Sequence, residues 1–423
     1  MGAGIQRGAV DRARAAALLL AALLVPAAAA QAGMEKPELN VASASGKNSL
    51  EFHLAAQFRW EYKFVDKGSG GERKTDHKLI FRRLRPVIKG SLLTKDFTYL
   101  LHLNLVPGSL ELMDLWVEYA FHPLARVRLG QFKIPFTRHR LNSFQDLPVV
   151  EWSNPTRWIG AERQLGVMLH NGLAEPPALE YQFAIFTGQN ARASNAVGIP
   201  ALYGEPVASP SSLTDPAGWK RPHGELVAHI ACNFGGIAVG RPSDLVGGPP
   251  GFSAGMSAAW DFQPAVLEDM RLRLAPEIMV KARGFAISSV FYIVFWDKAA
   301  GPGMSDLGMV GVVLQMSYVF LRKYEVALRY TDIYVYDELR EDARRYADSR
   351  IAGAESAAEA DALAEQYADN GLIHSEREVN LGFNVYLMGA TLKWQIDTGL
   401  LIHGREDGNR YDVQLRSQLQ LAF

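Results

Sequence analysis

The sequence predicts an all-β fold: a transmembrane, antiparallel, up-and-down β-barrel of about sixteen strands with long extracellular loops. Three observations support this fold. The last fourteen residues, 410–423, alternate between apolar and polar side chains and end on an aromatic residue. The same period-2 alternation recurs along the chain, and it suits a wall that separates lipid from water. No run after the N-terminus reaches the roughly 18 apolar residues that a spanning helix needs.

The N-terminus has the three parts of a secretory signal peptide. Basic residues precede an apolar run at 15–25, and a small-x-small cleavage motif follows at 30–32. We expect cleavage before Gly33, so that residues 1–32 are removed and 33–423 form the barrel. The apolar run is too short for a stable spanning helix. A strand that ends on a terminal aromatic also resembles the signal read by bacterial outer-membrane assembly machinery. We therefore expect the bacterial outer membrane as the location.

Strands can be followed by their alternation. The first places Phe52 and Trp60 on one face and Glu51 and Arg59 on the other. The predicted strands lie near 50–64, 79–93, 97–106, 111–121, 126–133, 163–170, 178–187, 224–238, 251–262, 270–282, 284–296, 307–320, 323–335, 377–388, 391–402 and 410–423.

Connection lengths give a second indication. If the N-terminus starts in the periplasm, every second connection between strands lies on the extracellular side. The long connections 134–162, 188–222 and 336–376 all fall at such extracellular positions. Segment 239–250 is long for a periplasmic turn. The strands near 285–320 are apolar on both faces, which suggests either a subunit interface or an inward-folded loop above them.

The extracellular segment 337–367 is rich in Ala, Glu, Asp and Arg and contains no proline, so it predicts a helix. Its charges form no organised ladder at i,i+4 spacing. We expect a solvated surface helix rather than a partner-binding one.

Composition excludes several function classes. The single cysteine, Cys232, cannot form an internal disulfide, and its neighbours at period 2 predict an inert, lipid-facing side chain. The net charge of −1 gives no indication of nucleic-acid binding. Hydrolase, phosphate-loop and metal motifs do not occur, and the histidines are scattered. We therefore expect no enzymatic activity, no cofactor and no metal.

Four motifs lie between residues 82 and 166. They are RRLR at 82–85, DLWVEY at 114–119, GQFKIPF at 130–136 and RQLG at 163–166. Together they resemble the phosphate-selective porin O and P family. The resemblance implies a sixteen-stranded, trimeric porin whose third extracellular loop, here 134–162, folds inward and narrows the pore.

The chain also departs from the family pattern. Family members commonly follow Pro-Phe with Gly-x-Glu, whereas this chain has residues 137–139, Thr-Arg-His. Members with phosphate preference place a lysine in the constriction loop, where this chain has Phe144 and Gln145. The resemblance thus supports a porin more strongly than it supports phosphate.

Cationic side chains on the predicted lumen face are the candidate pore-lining and anion-binding residues. Rings or ladders of Arg and Lys attract anions, and guanidinium groups match the oxygens of phosphate and carboxylate. The candidates are Arg59, Arg83, Arg85, Lys89, Arg126, Arg128, Lys133, Arg138, Arg140, Arg157 and Arg163. The alternative is that these cations pair with lumen carboxylates such as Glu61 and Glu118 and serve structure. Arg82 has lipid-facing parity and is a candidate for lipopolysaccharide phosphates.

These observations predict a passive porin for small hydrophilic solutes with an anion preference, and phosphate or polyphosphate is the named solute. Its expected partners are small anions, outer-membrane lipid and lipopolysaccharide, and two further copies in a homotrimer. Three alternatives stay open. They are a general porin for carboxylates or sugars, a structural or surface-interaction barrel with a plugged lumen, and an esterase whose site assembles in space.

Overall fold

The computed structural model shows an antiparallel β-barrel. It describes residues 39–65, 74–106, 109–160, 163–173, 176–187, 224–261, 270–297, 305–366 and 372–423. The strands in these residues are β1 (Leu39–Ala42), β2 (Ser49–Val65), β3 (Lys74–Leu92), β4 (Thr94–Val106), β5 (Ser109–His122), β6 (Ala125–Lys133), β7 (Arg163–His170), β8 (Leu179–Phe186), β9 (Glu225–Phe234), β10 (Gly251–Asp261), β11 (Met270–Ala282), β12 (Phe285–Asp297), β13 (Ser305–Phe320), β14 (Tyr324–Val335), β15 (Ile373–Met388), β16 (Leu392–Arg405) and β17 (Arg410–Ala422).

Strands β2 to β17 pair in sequence order, each antiparallel to the next. The last strand, β17, then pairs with β2, which closes a barrel of sixteen strands. The C-terminal residue takes part in this seam, because Phe423 and Leu54 exchange two backbone hydrogen bonds of 2.8 and 3.0 Å. The short strand β1 pairs with the first residues of β2, on the same side of β2 as β17. Closure leaves no unpaired edge on β2 or β17.

All sixteen predicted strands occur in the structure. The largest difference lies in β3, which begins at Lys74 rather than near 79. Sequence reasoning missed β1, whose four residues are too few to show a period. The predicted signal peptide and most of loop 188–222 lie outside the described residues.

The two faces of the wall have opposite chemistry. In β14, Val326 and Leu328 are about two-fifths exposed on the outer face, whereas Ala327, Arg329 and Thr331 point inward and are buried. In β17, the predicted apolar residues likewise point outward and the polar ones inward. Cys232 is exposed on the outer face, as its neighbours predicted. Apolar side chains outside and polar ones inside are the arrangement of a membrane barrel. No α-helix in the described residues is long and apolar enough to cross a membrane.

Two glycines of the family-like motifs lie opposite each other in β6 and β7. Gly130 pairs with Gly166 in the register of the two strands. A Cβ on Gly130, whose φ is +136°, would lie 2.2 Å from the carbonyl oxygen of Leu115. A Cβ on Gly166 would lie 2.3 Å from the ring of Phe186. Because those neighbours are backbone and a buried ring, only glycine fits without displacing the wall.

The connection from β6 to β7 lies inside the barrel. It contains two short helices, α1 (Arg138–Leu141) and α2 (Asn154–Trp158). Phe136, Trp158 and Ile159 are buried in one cluster with Tyr292 and Val294 of β12. This packing explains why strands near 285–320 are apolar on both faces: the inner face is covered by this connection rather than by water.

The predicted helix near 337–367 is two helices, α3 (Asp337–Ala352) and α4 (Ala357–Gln366), because the first ends at Gly353. The expectation of a solvated helix was wrong for one side of α3. Leu339 and Ala343 are buried in the same cluster as Trp158. Arg340 and Arg344 form ion pairs with Glu406 between β16 and β17. Helix α3 therefore packs onto the inner connection at one end of the barrel.

Candidate functional site

The inner connection, which we call the lumen loop (residues 134–160), is built around Lys133. The ammonium group of Lys133 donates to the carbonyl oxygens of Arg140, Leu141 and Asn142, at 3.0–3.1 Å. These carbonyls lie at the C-terminal end of α1, where helical carbonyls lack partners. At the other end, the side chain of Thr137 accepts from the backbone N–H of Arg140. Lys133 thus fixes the first bend of the loop.

Glu151 anchors the lumen loop to one side of the wall. Its carboxylate lies 2.7 Å from Arg59 and Arg82 and 2.8 Å from Arg83. Burial alone would raise the pKa of Glu151, but the three guanidinium groups outweigh it and hold that pKa well below its usual range. The carboxylate therefore stays ionised and links β2 and β3 to the loop.

A β-bulge brings Arg82 into this cluster. Gln57 pairs with Arg83 and Phe58 pairs with Phe81, so that Arg82 is the extra residue on β3. The expectation that Arg82 faces lipid was wrong, because strict alternation fails at a bulge. The RR pair at 82–83 instead contacts one carboxylate with both side chains.

Strands β14 and β16, which lie close to β2 on the same side of the barrel, hold the loop through its backbone. Arg329 donates to the carbonyl oxygen of Glu151 at 2.6 Å, and Lys393 donates to that of Gln145 at 2.7 Å. Asp397 accepts from the N–H of Val150 at 3.0 Å. On the far side of the barrel, Glu277 of β11 accepts from the backbone N–H of Arg138 at 2.9 Å. The lumen loop thus spans the interior between β11 and the strands around β2.

The remaining space forms a cavity of about 1120 Å³ beside β2–β7, which we call the chamber. The lumen loop borders it on one side. The segment that connects β9 to β10, residues 235–250, borders it on another. Its lining, in the described part of the chain, contains seven cationic residues, Arg85, Arg128, Lys133, Arg138, Arg163, Arg241 and Lys281, and three carboxylates, Asp114, Asp146 and Asp244.

Most of the predicted cations have carboxylate partners. Arg59 and Arg83 pair with Glu151, Lys89 with Glu51, Arg126 and Arg128 with Glu118, Arg138 with Glu180, and Arg163 with Asp114. Arg140 is buried with its guanidinium 4.6 Å from the ring of Trp152, and Arg157 is half-buried in α2. The alternative interpretation was that the lumen cations pair with carboxylates, and these seven residues do so.

Arg85 differs from the paired cations. Its guanidinium donates to the side chain of Asn104 at 3.3 Å and lies 4.8 Å from the ring centre of Phe144. Among the described residues it forms no ion pair. It lines the chamber, as do four other predicted residues: Arg128, Lys133, Arg138 and Arg163.

Sequence reasoning missed three charged residues around the chamber. Arg241 and Asp244 lie in the 235–250 segment, and Lys281 lies near the end of β11. The unusual length of 239–250 was the only sequence feature to indicate that this segment is more than a tight turn between two strands. Periodicity carries no information about where an irregular segment folds.

His139 in α1 forms no ion pair with a carboxylate in the described part of the chain. Burial, and secondarily the charge of Arg329, lower its pKa from 6.5 to about 3. In the described residues neither ring nitrogen has a hydrogen-bond partner. The imidazole is therefore neutral at pH 7. Its protonation would place an uncompensated charge on a buried residue of the lumen loop.

One cluster resembles a hydrolase triad. Ser257 lies 2.8 Å from Nδ1 of His229, whose Nε2 is 3.5 Å from Glu180. All three residues are completely buried, so no substrate carbonyl can reach the hydroxyl. The described residues also contain no group of His, Cys, Asp and Glu that could hold a metal ion. The cluster fits a structural network rather than the esterase alternative.

Comparisons with known proteins agree with this geometry. Residues 52–204 match the model of the phosphate-selective porin O and P family, which confirms the resemblance seen in the motifs. No curated protein sequence matches the chain.

Solved structures share the fold at low identity. OprB of Pseudomonas putida is 12% identical with a TM-score of 0.54, over 88% of this chain and 94% of that one. The outer-membrane channel DcaP of Acinetobacter baumannii is 12% identical with a TM-score of 0.53, over 90% and 99%. The anion-selective porin from Comamonas acidovorans is 11% identical with a TM-score of 0.53, over 88% and 100%. The chain is a bacterial outer-membrane β-barrel whose residues 52–204 match the phosphate-selective porin O and P family.

Proposed function

We propose that the chain is a passive pore for small hydrophilic solutes with a preference for anions, and that phosphate or polyphosphate is among its solutes. The observation that carries the proposal is the lining of the chamber, with seven Lys or Arg residues against three Asp residues in the described part of the chain. An excess of one charge sign in a narrow, low-dielectric space concentrates ions of the opposite sign.

Ion pairing does not cancel this excess. Lys133 and Lys281 donate to backbone carbonyls, which are neutral, so no carboxylate neutralises them there. Asp114 is the carboxylate partner of Arg163. Arg85 likewise has no carboxylate partner among the described residues. Several moderate cationic contacts suit transport, since a site that binds too tightly does not release its ion.

We propose the lumen loop as the constriction. Its links to both sides of the barrel, to β2 and β3 through Glu151 and to Glu277 of β11 through the backbone N–H of Arg138, support this role. We further propose that the lumen loop and the α3–α4 segment belong to the extracellular side and that residues 1–32 are a cleaved signal peptide. The family resemblance supports a homotrimer, with outer-membrane lipid and lipopolysaccharide as surroundings.

Single-channel recording in planar bilayers tests this proposal. We expect stable conductance steps in KCl, and partial block of the chloride current when phosphate is added. Conductance without any effect of phosphate would remove phosphate from the proposal and leave a general porin for carboxylates or sugars.

The second candidate function is a structural or surface-interaction barrel. The extent to which the lumen loop and the 235–250 segment fill the interior favours it. The absence of conductance from correctly folded protein would support this candidate and overturn the pore.

A further inference from the structure

We propose that the chamber is a binding site for organic anions that combine a carboxylate group with an apolar body. This inference rests on the proposed function and narrows its solute class. It uses three features that the anion preference alone does not need: a fixed floor, two guanidinium groups that form no ion pair among the described residues, and apolar walls beside them.

The floor of the chamber is the 235–250 segment, and specific hydrogen bonds fix its position. The ammonium group of Lys281 donates to the carbonyl oxygens of Ala238, Arg241 and Ser243. The carboxylate of Asp244 accepts from the backbone N–H groups of Gly247 at 3.1 Å and Gly284 at 2.7 Å. These contacts hold the segment against β11 and the start of β12, so the chamber keeps its depth.

Two cations can bind the carboxylate of a solute. Arg85 on β3 and Arg241 on the floor both line the chamber, and neither forms an ion pair among the described residues. A forked guanidinium group donates to both oxygens of a carboxylate in one plane. The ring of Phe144, 4.8 Å from Arg85, covers part of that guanidinium and excludes water from it. A charged hydrogen bond is stronger where water is excluded.

Apolar side chains lie next to these cations. Leu100, Trp116, Leu141, Phe144, Ile237 and Leu245 line the same space. Inorganic phosphate offers no apolar surface to them, and at about 1120 Å³ the chamber would hold many waters around such an ion, since each occupies roughly 30 Å³. An organic anion would displace water that bonds poorly to these walls, which favours binding. The lining therefore fits a carboxylate with an apolar body better than it fits phosphate.

Block of the chloride current distinguishes the solute classes. We expect benzoate to reach half-block at a concentration at least fivefold lower than acetate or phosphate. Arg85→Gln should raise the half-blocking concentration of both carboxylates, because it removes their shared cation. Leu100→Asn should raise that of benzoate alone, because acetate lacks the apolar body. Lys89→Gln is the matched control, since Lys89 pairs with Glu51 and does not line the chamber.

Saturation-transfer NMR of benzoate with detergent-solubilised protein tests binding without conduction. We expect transfer to the benzoate ring in the parent protein and its loss in Arg85→Gln. If phosphate blocks at a lower concentration than benzoate, or if the parent protein shows neither block nor transfer, the organic-anion site is overturned. If transfer occurs and depends on Arg85 but no current flows, the site stands and the proposed pore function fails.

Discussion

The carboxylate of Glu151 lies 2.8 Å from a guanidinium nitrogen of Arg83. This contact joins the lumen loop to strand β3, and both side chains are almost completely buried. Arg59 and Arg82 complete the contact from β2 and β3. Breaking a buried ion pair leaves uncompensated charge, which costs about 3–5 kcal/mol.

Replacing Glu151 by Gln should therefore loosen the lumen loop. Three guanidinium groups would lose their carboxylate, and the loop backbone near 145–151 would depend on its contacts with β14 and β16. We expect faster hydrogen–deuterium exchange over 143–153 and larger fluctuations of the open-channel current. The matched control is Glu51→Gln, because Glu51 pairs with Lys89 where both are well exposed and such pairs contribute about 1 kcal/mol or less. Equal exchange in the two variants would refute the anchoring role.

Arg85→Gln should reduce the preference for anions more than Lys89→Gln does. A single charge at about 4 Å contributes about 1 kcal/mol even at the dielectric constant of water, which corresponds to about a fivefold change in the chloride-to-potassium permeability ratio. The charge of Lys89 is offset by Glu51 at 3.0 Å, so its removal should change the ratio little. Reversal potentials of both variants in one KCl gradient measure the difference. Equal shifts would show that the absence of an ion pair at Arg85 has no functional consequence.

Acid should weaken the seating of the lumen loop through His139. Its pKa is about 3 in the structure and 6.5 when exposed, so the displaced loop binds the proton more readily. The neutral form of His139 favours the seated loop. This stabilisation of the loop is present above pH 6.5 and is lost as the pH falls toward 3. At pH 4.5 the loss is about 3 kcal/mol, from two units of pH at roughly 1.4 kcal/mol each.

Exchange over 136–147 at pH 7 and 4.5 measures this effect. The parent protein should exchange faster at pH 4.5 after correction for the intrinsic rate. His139→Gln, which cannot titrate in this range, should show a smaller pH difference. A pH difference of the same size in both proteins would assign the effect to other groups.

Gly130→Ala and Gly166→Ala should impair the assembly of the barrel. A Cβ at either position would lie 2.2–2.4 Å from backbone or ring atoms of the neighbouring strand. We expect a lower temperature for the loss of the compact, heat-modifiable form on gels, by several degrees. Gly248→Ala is the matched control, because nothing lies within 4 Å of its Cβ and its φ is not positive. Unchanged stability of the first two variants would contradict the close approach of β5 to β6 and of β8 to β7.

The wall of the barrel was predictable because alternation reports directly on two opposite environments. Every polar residue of β17 that was assigned to the lumen, from Asp412 to Gln420, points there. Alternation failed only where the chain leaves its period, as at the bulge that turns Arg82 inward. The four residues of β1 were too short to detect.

The interior was less predictable, because it depends on contacts between distant segments. The sequence identified the cations and some of their partners, such as Glu118, but not partners that depend on strand register. Period 2 places Arg416 and Asp412 on one face of β17, yet Arg416 pairs with Asp397 of β16 at 2.7 Å. The floor of the chamber depends on Lys281 meeting carbonyls about 40 residues away in sequence. No local sequence pattern predicts a contact between residues so far apart in the chain. Only the length of segment 239–250 indicated that this segment is more than a turn.

The central claim is that cationic excess in the chamber makes the barrel an anion-preferring pore. The most direct test is the zero-current potential of the reconstituted parent protein across a bilayer with a KCl gradient. A potential whose sign corresponds to chloride permeating faster than potassium is the predicted result. A potential of the opposite sign, which indicates cation preference, would contradict the account.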